Sequence, residues 1–232
     1  MSHRELRECF DLCDYDDEIR AVVIRGAGGN FSAGGDLNAM KARIDQGIRG
    51  TRQVCRVGAE TNLRLLNLKK PVIAWVEGAI TGAGISLALS CDFQIVSETS
   101  KCAFSFVNIG FVPDSGAAYL VTRAIGTTRA KDLFMSGRFF SGREAAEWGL
   151  FTEAVPAEEV EERVNKYIRK YSSGPSVSYA GIKTMINRAQ YAAYADGIQA
   201  EIDAQGECEL TEDYVEAVTA FLEKRKPQFK GR

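Results

Sequence analysis

Short, nearly continuous apolar runs alternate along this chain with helix-spaced segments and glycine-rich breaks. Ile19 to Ile24 (IRAVVI), Pro71 to Val76 (PVIAWV) and Phe93 to Val96 (FQIV) are rich in β-branched and aromatic residues and read as buried strands. Residues 4–17 place Leu6, Cys9, Phe10 and Cys13 at helical spacing, and residues 57–68 offer Val57, Leu63, Leu65, Leu66 and Leu68 as an apolar face. Between these two lies a segment, 38–56, that mixes basic and polar residues with Gly47 and Gly50 and predicts a mobile or irregular helix. A small-residue helix is expected over 117–124, with helical spacing again over 128–136, 142–149 and 157–171. Ser173-Gly174-Pro175 marks a break, after which 176–226 is helix-rich and leads into a charged tail. Strand, glycine turn and helix at short intervals predict an α/β core.

Composition narrows this picture. A chain of 232 residues supports one large domain, alone or with an appendage. Its net charge of −2 supplies no basic excess for nucleic acid. No apolar run approaches membrane-spanning length. The opening MSHRELRECF lacks the apolar core of an export signal. The six cysteines are scattered without a CxxC pair, so reduced thiols and a cytoplasmic location are expected. His3 is the single histidine, which argues against a histidine-based triad or a multi-histidine metal site.

The chemistry concentrates between Gly78 and Ser115. Gly82-Ala83-Gly84 opens an apolar run, Ile85 to Leu89, and the free N–H groups of such a helix start form a small anion-binding site. The turn Pro113-Asp114-Ser115-Gly116 offers a carboxylate to face it, a pairing that suits chemistry beside a polarised carbonyl. Each piece has a blander reading. Gly34-Gly35 serves as a tight turn, Gly82-Ala83-Gly84 as close helix packing, and Asp114 as a turn or capping residue.

Taken in order, DDEIRAVVIRGAGGNFSAGGDL, PVIAWVEGAITGAGISLALSCDFQIVSE, GFVPDSGAAYLVTRAIG, GREAAEWGLFTEAVP and FLEKRKPQF resemble the crotonase, or enoyl-CoA hydratase/isomerase, superfamily over nearly the whole chain. The resemblance implies a spiral of ββα units over 1–172 and a C-terminal helical segment over 173–232 that assembles a homotrimer or a dimer of trimers. It implies an acyl-CoA thioester as substrate, with coenzyme A part of that substrate and no separate cofactor or metal. By position, the backbone N–H groups of Gly35 and Ala83 form the oxyanion hole. Ala33, Gly34 and Asp36 belong to the CoA-binding loop, while Phe221 and Lys224 match positions that touch a neighbouring subunit's CoA nucleotide.

Two departures from the family pattern decide the chemistry expected. The positions of the two hydratase glutamates hold Ser86 and Phe106 here, so ordinary water addition is not expected and both residues instead line the pocket. Asp114 stands where family isomerases carry an acid, which implies a double-bond isomerase working through one carboxylate. The alternatives are another superfamily hydrolase, lyase or hydratase, or a catalytically degenerate acyl-CoA-binding paralogue. The family's usual strand pair ahead of the first helix is also missing from this sequence, since Met1 lies almost at that helix.

Overall fold

The computed structural model describes residues 2–190 and 193–230. The chain opens with helix α1 (His3–Tyr15), closed at its start by a reciprocal pair in which Ser2 Oγ accepts from Glu5 N–H and the Glu5 carboxylate accepts from Ser2 N–H. Strand β1 (Val22–Arg25) follows, then helices α2 (Leu37–Asp45) and α3 (Thr51–Leu66). The strand begins three residues later than expected. The segment read as irregular is two regular helices, and the second continues unbroken into the helix expected from residue 57. Its cap comes from far along the chain, which is why local composition did not reveal it.

Strands β2 (Val72–Val76) and β3 (Ala79–Thr81), helix α4 (Ala83–Leu89), and strands β4 (Phe93–Ser97) and β5 (Lys101–Ala103) complete the first half. A 3-10 turn at Val107–Ile109 leads to helix α5 (Ala117–Ser136), interrupted at Gly126. Strand β6 (Phe139–Ser141), helix α6 (Gly142–Glu147), strand β7 (Glu153–Val155) and helices α7 (Val160–Ser172), α8 (Ser176–Gln190), α9 (Tyr194–Cys208) and α10 (Glu212–Leu222) follow. The three-residue strands β3, β5, β6 and β7 escaped the sequence reading because so few residues show no periodicity.

Two sheets carry the fold. One is parallel, in the order β1-β2-β4-β7, with Val22 opposite Val72, Ile73 opposite Phe93 and Ile95 opposite Glu153. The other runs β3-β5-β6, with β3 and β5 parallel and β5 and β6 antiparallel. Strand β2 explains its unbroken apolar sequence, because both of its faces are covered. Val72, Ala74 and Val76 join the main core with Leu65, Ile80, Ile85 and Phe104. Ile73 and Trp75 face the other way, onto Ile95, Val155 and the Val160/Val164 face of α7.

The C-terminal helices return over this core: α9 packs on α3 and α5, and α10 on α2 and the Val107–Ile109 turn. All six cysteines are free. Among the described residues, no helix is long and apolar enough to cross a membrane.

Candidate active site

Two backbone loops meet at the start of α4. The loop after β1 is stitched to β3: Thr81 N–H donates to Ser32 O (2.9 Å) and Thr81 Oγ1 donates to Ala33 O (2.8 Å). The contact is close enough to require glycine. Gly34 adopts φ +83, and a Cβ there would lie 3.0 Å from Thr81 O and 3.6 Å from Ala83 N. The Gly34-Gly35 segment is thereby held against the first residue of α4, Ala83, whose N–H has no partner within its own helix. Asp36 caps α2 by accepting from Asn38 N–H (2.9 Å) and Ala39 N–H (3.2 Å), which fixes the far side of the loop. The Phe106 ring is buried against Gly82.

The Pro113-Asp114-Ser115-Gly116 turn faces α4 from the start of α5. Ser86 Oγ, fully buried on α4, donates to the Asp114 carbonyl (3.2 Å). Ser115 holds a left-handed backbone, φ +57, rare for a residue with a side chain and a local strain of about 1–3 kcal/mol. Asn62 Nδ2 of α3 secures it by donating to Ser115 O (3.0 Å). Gly116 follows at φ +86, where a Cβ would collide with the Tyr194 hydroxyl at 2.0 Å.

The Asp114 carboxylate is held at one oxygen. Oδ2 accepts from Gln205 Nε2 (3.3 Å) and, weakly, from Cys55 Sγ (3.7 Å). Oδ1 is sealed from solvent without a partner, although the residue as a whole keeps partial exposure. Burial pushes the carboxyl up from 3.8 to about 6, against the opposing contacts of Ser115, Cys55 and Gln205. Burial also pushes the Cys55 thiol up, and the Asp114 charge beside it adds to that rise.

A second carboxylate lies nearby that the sequence reading missed. Glu201 of α9 accepts from Gly116 N–H (2.7 Å) and Ala118 N–H (2.9 Å), and so caps α5 from outside it. Burial pushes Glu201 up from 4.5 to about 7, with the Asp114 charge contributing in the same direction. Four residues on, Gln205 reaches Asp114; four more on, Glu209 caps α3 by accepting from Gly50 N–H (3.0 Å), Thr51 N–H (3.1 Å) and Thr51 Oγ1 (2.6 Å). Glu201 and Gln205 of α9, with Glu209 at its C-terminal cap, thus form one buried polar stripe at the i, i+4, i+8 spacing of a single helix face. That spacing was present in the sequence, but its burial was not.

Three other carboxylates in this half of the chain are engaged elsewhere. Asp92 accepts from Lys183 Nζ (2.7 Å) and Val72 N–H (2.8 Å), Glu77 pairs with Arg25, and Glu98 pairs with Arg143. Phe221 is exposed at the end of α10, and Lys224 lies just beyond it with φ +55. His3 stands closer to the site than its place in the chain suggests. Its ring and the Ser115 hydroxyl both border Gly58, where a Cβ would lie 3.7 Å from His3 Cε1 and 2.8 Å from Ser115 Oγ. The Asp114 carboxylate takes its hydrogen bonds from Cys55 and Gln205, with the Ser115 side chain as a further contact. Among the described residues, no group of three or more His, Cys, Asp or Glu is arranged to hold a metal ion.

Comparison with known proteins matches residues 2–232 to the family model described as enoyl-CoA hydratase/isomerase. The chain is 32% identical over 229 residues to the trans-2-decenoyl-[acyl-carrier-protein] isomerase of Streptococcus mutans, covering 98% of this chain and 87% of that protein. It is 34% identical over 237 residues to the 1,2-epoxyphenylacetyl-CoA isomerase of Escherichia coli, covering 99% and 88%. The solved structure of an enoyl-CoA hydratase from Mycobacterium avium subsp. paratuberculosis superposes with a TM-score of 0.87 at 32% identity, covering 98% of this chain and 87% of that one.

Proposed function

The chain belongs to the enoyl-CoA hydratase/isomerase family of acyl-CoA enzymes, and from that premise we propose that it is a double-bond isomerase in which Asp114 moves the proton. The carrying observation is Asp114 Oδ1: a sealed, unpartnered oxygen on a carboxyl pushed up to about 6. A base near neutrality is what removal of a weakly acidic proton beside a thioester requires. In this reading the N–H groups of Gly35 and Ala83 receive the enolate oxygen, each donor worth roughly 2.7–4 kcal/mol by analogy with other oxyanion holes. Asp114 takes a proton from C2 of a 3-enoyl thioester and returns it at C4. Phe106, where a hydratase would carry its acid, lines the pocket and keeps water out. Ala33, Gly34 and Asp36 shape the CoA loop.

The isomerase names of two relatives support this choice, and those names differ in the thioester's carrier, coenzyme A or acyl-carrier protein. Hydration is the second reading, favoured by the hydratase structure that superposes on this chain and by Glu201 as a second carboxylate near Asp114. Assembly as a trimer, or as a dimer of trimers, belongs to the proposal too. The apolar residues Val177, Ile182, Met185 and Ile186 that α8 leaves exposed support it, and in such an assembly Phe221 and Lys224 of one subunit would reach the nucleotide bound by the next.

The deciding experiment follows formation of conjugated 2-enoyl-CoA from a linear 3-enoyl-CoA by wild type and by Asp114→Asn. Conversion by wild type and its loss in the variant are expected. Equal rates would leave Asp114 as a turn residue only. Accumulation of 3-hydroxyacyl-CoA would favour hydration, release of free CoA a hydrolase, and binding without turnover a degenerate paralogue.

A further inference from the structure

The α9 stripe leaves two sealed oxygens without partners, Asp114 Oδ1 and Gln205 Oε1. They belong to side chains that are already joined, since Gln205 Nε2 donates to Asp114 Oδ2 at 3.3 Å. Val112 settles which way the amide faces. Its carbonyl oxygen accepts from Nε2 at 2.8 Å, and because a carbonyl cannot donate, the amide nitrogen and not its oxygen must face it. Both Nε2 hydrogens are then used, and Oε1 is left as an acceptor on a side chain with no exposed surface.

A charged Asp114 can offer Oε1 only another acceptor. A neutral Asp114 carries one O–H donor, and a carboxylic acid facing a primary amide makes two complementary bonds, O–H to carbonyl and N–H to carbonyl. One proton on Oδ1 therefore satisfies both unpartnered oxygens, which buried polar atoms require.

We infer that Gln205 is a positioning residue that holds the proton captured by Asp114 in a closed carboxyl–amide pair, Oδ1–H to Oε1 and Nε2–H to Oδ2, so that the same proton returns to the substrate. This inference rests on the isomerase reading. Oδ1 takes the proton from C2 as the C–H electron pair moves into the dienolate. Oδ1–H then gives that proton to C4 as the electrons return from the thioester oxygen. Asp114 ends as it began, and nothing is oxidised or reduced. Oδ2 already accepts from Gln205 and Cys55, which leaves Oδ1 as the oxygen on which the captured proton rests.

Burial, opposed by the contacts of Ser115, Cys55 and Gln205, sets the protonation of Asp114. The Cys55 thiol of α3 is kept neutral by burial and by its contact favours the charged carboxylate, Glu201 of α9 is itself pushed up to about 7 by burial and the Asp114 charge, and Glu209 at the end of α9 is turned to the start of α3. His3 of α1 stands across Gly58, and burial holds its imidazole below the usual range, toward the neutral form.

The test follows deuterium from C2 of a dideuterated 3-enoyl-CoA into C4 of the product, in ordinary water. Wild type is expected to carry label to C4. Gln205→Met, which keeps the length but neither donates nor accepts, should cut the carried fraction about three- to tenfold, the worth of one neutral hydrogen bond, with KM changed by less than about twofold. Gln205→Glu keeps the shape and adds a like charge beside Asp114, so the acid limb of kcat/KM should move to higher pH, as contact between the two side chains requires. Turnover that leaves no label at C4 in wild type overturns the inference while the isomerase stands. Absence of turnover sinks the isomerase reading instead, and infrared spectra of the substrate-free protein at about pH 5, below the Asp114 value near 6, then decide on Gln205. The protonated Asp114 carbonyl band, identified by its loss in Asp114→Asn, must move in Gln205→Met, and an unmoved band refutes the pair.

Discussion

Asp114→Asn should make this protein more stable at pH 8 and leave its stability almost unchanged at pH 4. Burial raises the folded-state value of Asp114 from 3.8 to about 6, so the folded protein binds that proton more tightly than the unfolded chain does. A carboxyl raised in this way contributes most when protonated. Its contribution is complete below about pH 4 and is lost as pH rises through 6. At 1.36 kcal/mol per tenfold, the cost of keeping the charge at pH 8 reaches roughly 3 kcal/mol, against about 0.5 kcal/mol at pH 4. Asparagine copies the neutral acid, with one oxygen to accept from Gln205 Nε2 and an N–H to offer Oε1, and carries no charge to desolvate. For a chain of this size each kcal/mol moves Tm by about 2–4 °C, so the variant should melt roughly 6–12 °C higher at pH 8. Scanning calorimetry of both proteins at pH 4, 6 and 8 is the assay, with urea unfolding as a second measure. A stability difference that does not change with pH, or a variant less stable at pH 8, would refute the reasoning, since the carboxyl would then not be desolvated. Lost activity together with gained stability is the trade-off expected where a fold keeps a strained or desolvated group for chemistry.

Glu201→Gln removes a charge that couples to Asp114 and leaves one of the N–H groups of Gly116 and Ala118 without an acceptor. It should cost about 1–3 kcal/mol of stability in urea unfolding and leave the acid limb of kcat/KM in place, because Glu201, held up at about 7, is already largely neutral where Asp114 titrates near 6. Gly34→Ala puts a Cβ 3.0 Å from Thr81 O at a φ of +83. The left-handed backbone alone should cost roughly 1–2 kcal/mol by calorimetry. Displacing the Gly35 N–H should lower kcat by about 10²–10³, as for loss of one oxyanion donor. Activity close to wild type in that variant would mean that Gly35 does not hold the thioester oxygen.

Much of the architecture was written locally. The apolar run at 72–76 required a strand covered on both faces, and Ile73 and Trp75 on one side with Val72, Ala74 and Val76 on the other are so placed. Gly34-Gly35 and Gly82-Ala83-Gly84 were legible as glycine-rich turns, and a Cβ on Gly34 would lie 3.0 Å from Thr81 O and one on Gly84 2.6 Å from Ser32 Cβ. The turn at 113–116 announced a carboxylate at a sharp reversal, although nothing local said which of its oxygens would be free. Where composition was the only guide, as across 38–56, the reading missed a regular helix, because the group that caps α3 is Glu209, far along the chain.

The sequence by itself determined the family, the α/β alternation and the candidate base. The alternation follows from periodicity and glycine placement, which are local, while the family and the role expected of Asp114 come from the resemblance that the ordered motifs carry. Only the tertiary structure decided the environment of that base. Gln205 and Glu201 sit on a helix that looks like an ordinary polar surface when read along the chain, since a carboxylate or amide at i and i+4 is normally solvated. Their meaning depends on α9 lying across α3 and α5, which buries one polar face against Asp114 and the start of α5. Desolvation is set by everything that surrounds a group in space, so the value near 6 at Asp114 has no signature in the residues beside it.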